Sequence, residues 1–256
     1  MHVRRVADKQ EILDFLQQDR IYAAYAIGDL EPSLFEHCQW YVTEQGAEKT
    51  ALCLFFKRLN PHALFTMGRS ADLVLILGSA LRPKRVYFTS RPEHRGVLNA
   101  FYSLGSVAEM ARMVLIPEHF RPKAGPVTRL SLRHLHDLQK LYEAGGGDAF
   151  APYQLEEGVY YGVEVAGRLV AVAGTHLVSP TYGLAAVGNV FTYPDYRNRG
   201  YATACTSAVV EELLGQGLDV VLNVSTTNAP ALHIYEKMGF RQHCRYIEVL
   251  GVRKKG

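Results

Sequence analysis

Arg197-Asn198-Arg199-Gly200-Tyr201-Ala202 sets two cations and a glycine where an apolar, strand-like run, Ala185 to Thr192, gives way to a helix-like one, Tyr201 to Leu214. Those residue types in that place can hold an anion. Glycine allows a tight turn with its N–H groups facing outward, and the helix start behind it adds unpaired donors and the positive end of its dipole. A pyrophosphate suits such a cradle. The spacing is not that of a Gly-x4-Gly-Lys-Ser/Thr loop, nor of the three-glycine dinucleotide fingerprint. Basic turns with a glycine are common, so the residues downstream decide what this one means.

Ala202, Cys205, Val209 and Leu213 recur at helical spacing, and Gly215 and Gly217 end that helix. Leu218 to Val224 is rich enough in β-branched residues for a buried strand. Asn228 then stands as a helix cap, Pro230 is tolerated in the first turn, and Ala231, Ile234 and Met238 form a second apolar stripe closed by Gly239.

Together these stretches resemble the GNAT superfamily of N-acetyltransferases. Arg197, Gly200 and Ala202 occupy the defining positions of its Gln/Arg-x-x-Gly-x-Gly/Ala pyrophosphate loop, and Asn228 to Phe240 is similar to the helix that brings a Tyr to the coenzyme sulfur. The resemblance covers roughly residues 127–253. It implies transfer of an acetyl or short acyl group from acetyl-CoA, or another acyl-CoA, to a primary amine by direct attack, with the oxyanion held by a backbone N–H. Arg197, Asn198, Arg199, Gly200, Tyr201, Ala202 and Thr203 would surround the pyrophosphate. Val190, Phe191 and Thr192 would offer a free strand edge to the pantetheine arm, with Asn228 on its other side. Tyr235 would protonate the leaving thiolate, since a phenol of pKa near ~10 keeps its proton at neutral pH.

A base for the incoming amine is harder to read. The matching strand offers Asn189, which cannot take a proton, and the candidates are Glu164 and His176 on neighbouring strands; both also suit surface or core-polar roles. Phe150, Tyr153, Tyr160 and Tyr161 stand where the family walls its acceptor, and they equally suit a core. The acceptor class is a small-molecule amine or a peptide amine. The missing strand base also allows a second reading, a catalytically inactive acyl-CoA-binding sensor or interaction protein.

The elements that would carry these residues can be read outward from the loop. Val159–Val165 and Leu169–Leu177 flank the turn Ala166-Gly167, and Ser179 to Gly183 turns into the next strand, which makes an antiparallel meander. Before it, Ser131 to Glu143 reads as a helix carrying Leu132, Leu135, Leu138 and Leu141 and broken by Gly145-Gly146-Gly147; a hairpin over Arg241 to Val252 follows the Tyr helix. In the first half, Glu11–Gln18 and Leu73–Leu81 read as helices, and Gln39–Thr43, Ala51–Lys57, Ala63–Met67 and Arg85–Ser90 as strands. Arg85 to Gly105 looks like a copy of Val220 to Gly239: a strand, a loop with proline, then a helix bearing Tyr102 or Tyr235. The first copy has only Gly68-Arg69-Ser70-Ala71 where the anion loop would be, too little chain to wrap a pyrophosphate.

The fold expected is therefore α/β with a mixed sheet, as tandem GNAT-like domains with a degenerate first copy, an arrangement resembling glycine N-acyltransferase-like proteins. The expected division is residues 1–116, a linker at 117–126 containing Pro117, Pro122, Gly125 and Pro126, and a catalytic domain at 127–256. The 256 residues, 48% of them hydrophobic, suffice for two cores. A net charge of +3 without a long basic block gives no reason to expect nucleic acid, and no apolar run approaches the roughly 20 residues that span a bilayer. Cys38, Cys53, Cys205 and Cys244 form no CxxC pair, so neither a disulfide nor a metal is expected, and a reducing cytoplasm suits them. The expected partners are the acyl-CoA and its amine, with a homodimer left open.

Overall fold

A computed structural model describes residues 1–145 and 150–255, so Gly146 and Gly147 of the expected helix break lie outside the described residues. Contacts between Cα atoms divide the chain into two compact units, one of Met1–Ala111 with Ser225–Thr227 and Cys244–Gly256, the other of Arg112–Val224 with Asn228–His243.

In chain order the first unit contains β1 (His2–Val6), α1 (Lys9–Leu16), α2 (Ala24–Gly28), α3 (Pro32–Phe35), β2 (Cys38–Gln45), β3 (Glu48–Phe56), β4 (Ala63–Gly68), α4 (Ser70–Leu75, continued as a wide turn over Ile76–Ala80), β5 (Arg85–Ser90), α5 (Arg95–Phe101) and β6 (Tyr102–Leu104). β7 (Ala108–Leu115) begins in the first unit and ends in the second. The second unit continues with β8 (Thr128–Arg129), α6 (Leu135–Glu143), α7 (Pro152–Glu157), β9 (Tyr161–Val165), β10 (Arg168–Ser179), β11 (Leu184–Thr192), α8 (Tyr201–Gly215), β12 (Asp219–Ser225) and α9 (Ala229–Met238). The last strand, β13 (Phe240–Arg253), starts in the second unit, but from Cys244 onward it counts with the first.

Both units use one topology. In the first, β1 to β4 are paired antiparallel in sequence order, and β4 then runs parallel to β5 over Ala63–Phe65 and Tyr87–Thr89. In the second, β8 to β11 are likewise antiparallel neighbours, and β11 runs parallel to β12 over Leu184–Val187 and Asp219–Leu222. A meander closing in a short parallel pair leaves a wedge where the two parallel strands part. The first unit buries Leu64, Leu73, Ile76, Leu77, Val86, Phe88, Leu98 and Tyr102 around α4 and α5. The second buries Leu130, Leu138, Leu141, Leu155, Tyr160 and Val172 beneath α6 and α7.

The strands and helices read from the apolar patterns are present with four differences, while β1, α2, α3, β7 and α7 carried no sequence expectation. Leu132 belongs to a short 3-10 turn rather than the helix and is 48% exposed, because a three-residue apolar spacing drifts off the face that Leu138 and Leu141 bury. The final segment is one 14-residue strand, not a hairpin. Tyr102 lies past the end of α5, in a strand that pairs with Gly251–Arg253, so it does not occupy the place that Tyr235 has on α9. Finally, the unit boundaries depart from the expected 1–116 and 127–256: the residues expected as a linker count with the second unit, where the Lys123 N–H donates to Ser207 Oγ at 2.8 Å and the Arg121 N–H to the Met238 carbonyl at 3.0 Å.

Candidate active site

β11 and β12 part after Val187 and Leu222, and from there one edge of β11 has no strand beside it within the parallel pair. The ladder to β10 tells which groups face that edge. The Tyr193 N–H donates to the Val170 carbonyl at 2.9 Å, and Phe191 pairs with Val172, so alternation turns the N–H and C=O groups of Val190 and Thr192 away from β10. They face a groove of about 330 Å³ lined by Val190, Phe191, Thr192, Tyr196, Arg197, Asn198, Gly200, Tyr201, Ala202, Thr203, Asn228, Pro230, Ala231 and Ile234.

One wall of the groove is the turn before α8. Asn198 and Gly200 have left-handed backbone, φ 61° and 77°, and Gly200 is the N-cap of α8. The first intrahelical bond runs from the Ala204 N–H to the Gly200 carbonyl at 3.0 Å, which leaves the N–H groups of Tyr201, Ala202 and Thr203 ahead of the ladder. Space around Gly200 is open, so its left-handed angle and not crowding selects glycine there. Arg197 Nε reaches the Thr192 carbonyl at 3.3 Å, which folds the guanidinium back along the groove. Arg199 instead bonds the Asp195 carbonyl and lies over the Tyr196 ring, and it does not line the groove.

The opposite wall is α9. Asn228 caps it through Oδ1, which accepts from the Ala231 N–H at 3.2 Å, and Pro230, Ala231 and Ile234 present the groove-facing surface. Tyr235 follows Ile234 on the flank of that surface, its ring edge-on to Phe240 at 6.0 Å. Burial pushes its hydroxyl up to about 12, so the phenol holds its proton throughout the neutral range.

Two bulges face each other at the inner end. His176 is the extra residue on β10, between the pairs Thr175–Val187 and Leu177–Ala186; Asn189 and Val190 oppose the single Ala173 on β11's side of the ladder. Asn189 takes φ 52°. Its side chain donates to Tyr160 Oη at 2.8 Å and Gln154 Oε1 at 3.2 Å, and its carbonyl accepts from Tyr142 Oη at 2.6 Å. The His176 ring covers Gly188, where a Cβ would fall 2.3 Å from it. Burial lowers the His176 pKa to about 4 against an opposing hydrogen bond to Asn189, and the nearby Arg112 charge adds to the lowering; the ring is neutral at pH 7.

The structure thus brings together Val190, Phe191, Thr192, Arg197, Asn198, Gly200, Tyr201, Ala202, Thr203 and Asn228 around one groove; Tyr235 and His176 lie outside its lining, Tyr235 one residue after Ile234 on α9 and His176 of β10 over Gly188. Glu164 is not brought in: it is exposed, paired with Leu169 near the hairpin turn, and absent from the groove lining. Tyr161 points elsewhere as well, its hydroxyl on Glu212 Oε2 at 2.9 Å, because neighbours on a strand face opposite ways. Phe150 packs between Tyr142 and Tyr160. The Tyr142 contact was not anticipated, although Gly-Asn inside an apolar strand is itself the mark of a bulge. Among the described residues no group of three or more His, Cys, Asp or Glu could hold a metal ion, and no helix is long and apolar enough to cross a membrane.

Residues 129–240 match the Acetyltransferase (GNAT) family. A mycothiol acetyltransferase of Tsukamurella paurometabola is 34% identical over 113 residues, 43% of this chain and 39% of the relative. A [ribosomal protein bS18]-alanine N-acetyltransferase of Escherichia coli is 27% identical over 105 residues, 41% of this chain and 64% of the relative. The chain therefore spans less than two thirds of the length of either curated relative. Among solved structures, a GNAT-family protein of Novosphingobium aromaticivorans superposes with a TM-score of 0.63 at 21% identity, covering 89% of this chain and 96% of its own. A tandem GNAT protein of the clavulanic acid biosynthesis pathway covers all of both chains at a TM-score of 0.62 and 12% identity.

Proposed function

Residues 129–240 match the Acetyltransferase (GNAT) family, and on that premise we propose that the second unit is an N-acyltransferase that moves an acetyl group from acetyl-CoA to a primary amine. The observation that carries this reading is the groove at the wedge of β11 and β12, which joins an N–H-rich helix start to a free strand edge. A pyrophosphate fits the first and an extended amide-bearing arm fits the second. In this assignment Arg197, Asn198, Gly200 and the N–H groups of Tyr201, Ala202 and Thr203 hold the phosphates, with Arg199 contributing charge from outside the groove. Val190, Phe191 and Thr192 run beside the arm, and Asn228 closes the other side.

Tyr235 gives its proton to the departing thiolate. Its raised pKa keeps the phenol protonated at neutral pH, so it arrives with the proton the thiolate needs, and it regains that proton from solvent before the next turnover. His176 is the candidate to meet the amine. With a pKa near 4 it is too weak to strip an ammonium at neutral pH, so its part is to accept a hydrogen bond from amine that has already lost its proton to water. Glu164 has no part in this arrangement. One relative's name specifies an alanine of a ribosomal protein, and that likeness supports keeping a peptide amine beside small amines in the acceptor class.

The test has two arms. Calorimetric titration with acetyl-CoA measures binding, and thiol trapping of released CoA across amino acids, polyamines and short peptides measures transfer. Binding with amine-dependent release supports the enzyme. Tight binding with no release from any amine would favour the acyl-CoA-binding sensor, and no binding would remove the reading altogether.

A further inference from the structure

We propose that Tyr142, acting through Asn189, is a positioning residue that fixes the direction of the Val190 N–H, the group that would receive the acetyl carbonyl. The proposal rests on the acyltransferase reading above. Its basis is the double fastening of one left-handed residue. Asn189 is 8% exposed and sits at φ 52° in the middle of a strand, a left-handed conformation that Asn tolerates better than other non-glycine residues but that breaks the ladder at that point. The Tyr142 hydroxyl holds the Asn189 carbonyl from α6, and Tyr160, itself anchored by donation to the Thr175 carbonyl at 2.9 Å, receives the Asn189 amide from β9's start. Gln154 of α7 takes the second amide proton and spends its own amide on the His176 carbonyl at 3.1 Å. Main chain and side chain of one residue are thus gripped by three elements.

The consequence reaches the groove through one peptide. The Asn189 carbonyl and the Val190 N–H belong to the same planar unit and point in opposite directions. A hydroxyl that holds the carbonyl toward α6 therefore holds the N–H toward the opposite side, where β11 has lost its neighbour. Without the grip, the bulge can relax to an ordinary ladder, and a one-residue register change would turn Val190 over. Tyr142 need not touch either substrate to matter.

The test compares two ligands that differ only at the reacting end. Acetyl-CoA has the carbonyl that Val190 would hold, and CoA does not. Calorimetry should find that Tyr142→Phe leaves CoA affinity unchanged but lowers the ratio of acetyl-CoA to CoA affinity about threefold to tenfold, the worth of one hydrogen bond. Asn189→Gly, which keeps left-handed backbone accessible, should retain more of the ratio than Asn189→Ala. Amide NMR should report a shifted Val190 resonance in Tyr142→Phe with most other amides in place. An unchanged ratio in Tyr142→Phe, or equal ratios in the Gly and Ala variants, overturns the positioning role. Wild-type protein that binds neither ligand overturns the acyltransferase reading instead, so the two failures are distinct. Parallel loss of CoA and acetyl-CoA affinity would make Tyr142 a structural residue only.

Discussion

The two units build the same wedge and treat it in opposite ways. In the second, β11 and β12 part around a groove with free N–H groups at one end. In the first, β4 and β5 part after Phe65 and Thr89, and the space is filled. The Thr66 hydroxyl lies 2.8 Å from both Ser90 Oγ and His94 Nδ1, the Tyr22 hydroxyl donates to the Thr66 carbonyl at 2.8 Å, and His94 Nε2 reaches the Gly68 carbonyl at 2.9 Å. A carbonyl needs an N–H, so the ring donates at Nε2 and is left to accept at Nδ1, the neutral form that burial favours by lowering its pKa. Tyr22, Thr66, Ser90 and His94 are all at most 1% exposed. A ligand would have to displace a satisfied polar cluster. The lesson is that topology makes the wedge, while the residues past the parallel pair decide whether it is a site or a core.

The largest effect is expected at the two tyrosines. Tyr235→Phe should lower kcat about 10²- to 10⁴-fold with acetyl-CoA affinity nearly intact, as loss of a general acid does, whereas Tyr102→Phe should leave kcat alone, because Tyr102 is a core ring packed edge-on to Phe88 at 4.9 Å. Steady-state kinetics on both variants would break the contrast if Tyr235→Phe turned over like wild type. Next come the two left-handed glycines. Gly200→Val, in open space but at φ 77°, should weaken acetyl-CoA binding about 10- to 100-fold, and the strained turn should also lower the melting temperature by a few degrees. Gly68→Val, which adds a clash of its Cβ with the Thr50 carbonyl to the same kind of strain, should lower the melting temperature more and leave acetyl-CoA affinity of the folded protein nearly intact. Calorimetry and thermal melts on the pair decide it.

A third measurement sharpens the contrast between open and filled. Thr66→Val strips the Ser90–His94 cluster of its shared hydroxyl and should cost about 1–3 kcal/mol of stability, without creating a second coenzyme site. Stoichiometry should stay at one acetyl-CoA per chain in wild type and variant alike; two per chain in either would end the comparison. The smallest effect is on pH. His176 has a folded pKa near 4 against an ordinary value of 6.5, so between those values the unfolded chain binds the proton better and stability falls as pH falls. His94 shifts in the same direction. Thermal melts should decline from about pH 6.5 toward pH 4, and His176→Gln should flatten part of that slope.

Much of this was legible in the chain. The anion turn, the Asn228 cap and the Tyr235 helix could be read because each depends on residue types at fixed local spacing. The tandem arrangement could be read because Arg85–Ser90 and Asp219–Ser225 are both compact apolar strands followed by a proline loop. What could not be read was pairing at long range. Nothing in Cys244 to Arg253 says that these residues lie against β5, with Ile247 opposite Ser90 and Val252 opposite Arg85. Glu164 and Tyr161 lie away from the groove for the complementary reason: a strand's neighbours were known, but which of its faces meets the groove was not.

That last pairing also bears on how the protein is made. A ribosome delivers β1 to β6 first, yet the first unit's sheet lacks a strand until residues 244–253 have left the exit tunnel. For the whole of that interval the edge of β5 is a stretch of unpaired backbone with nearby apolar side chains, the kind of surface that strand-capturing chaperones and misfolded neighbours both recognise. Synthesis of the second unit is thus a waiting period for the first, and changes that slow translation across residues 112–243 would tell in the solubility of a unit they do not encode.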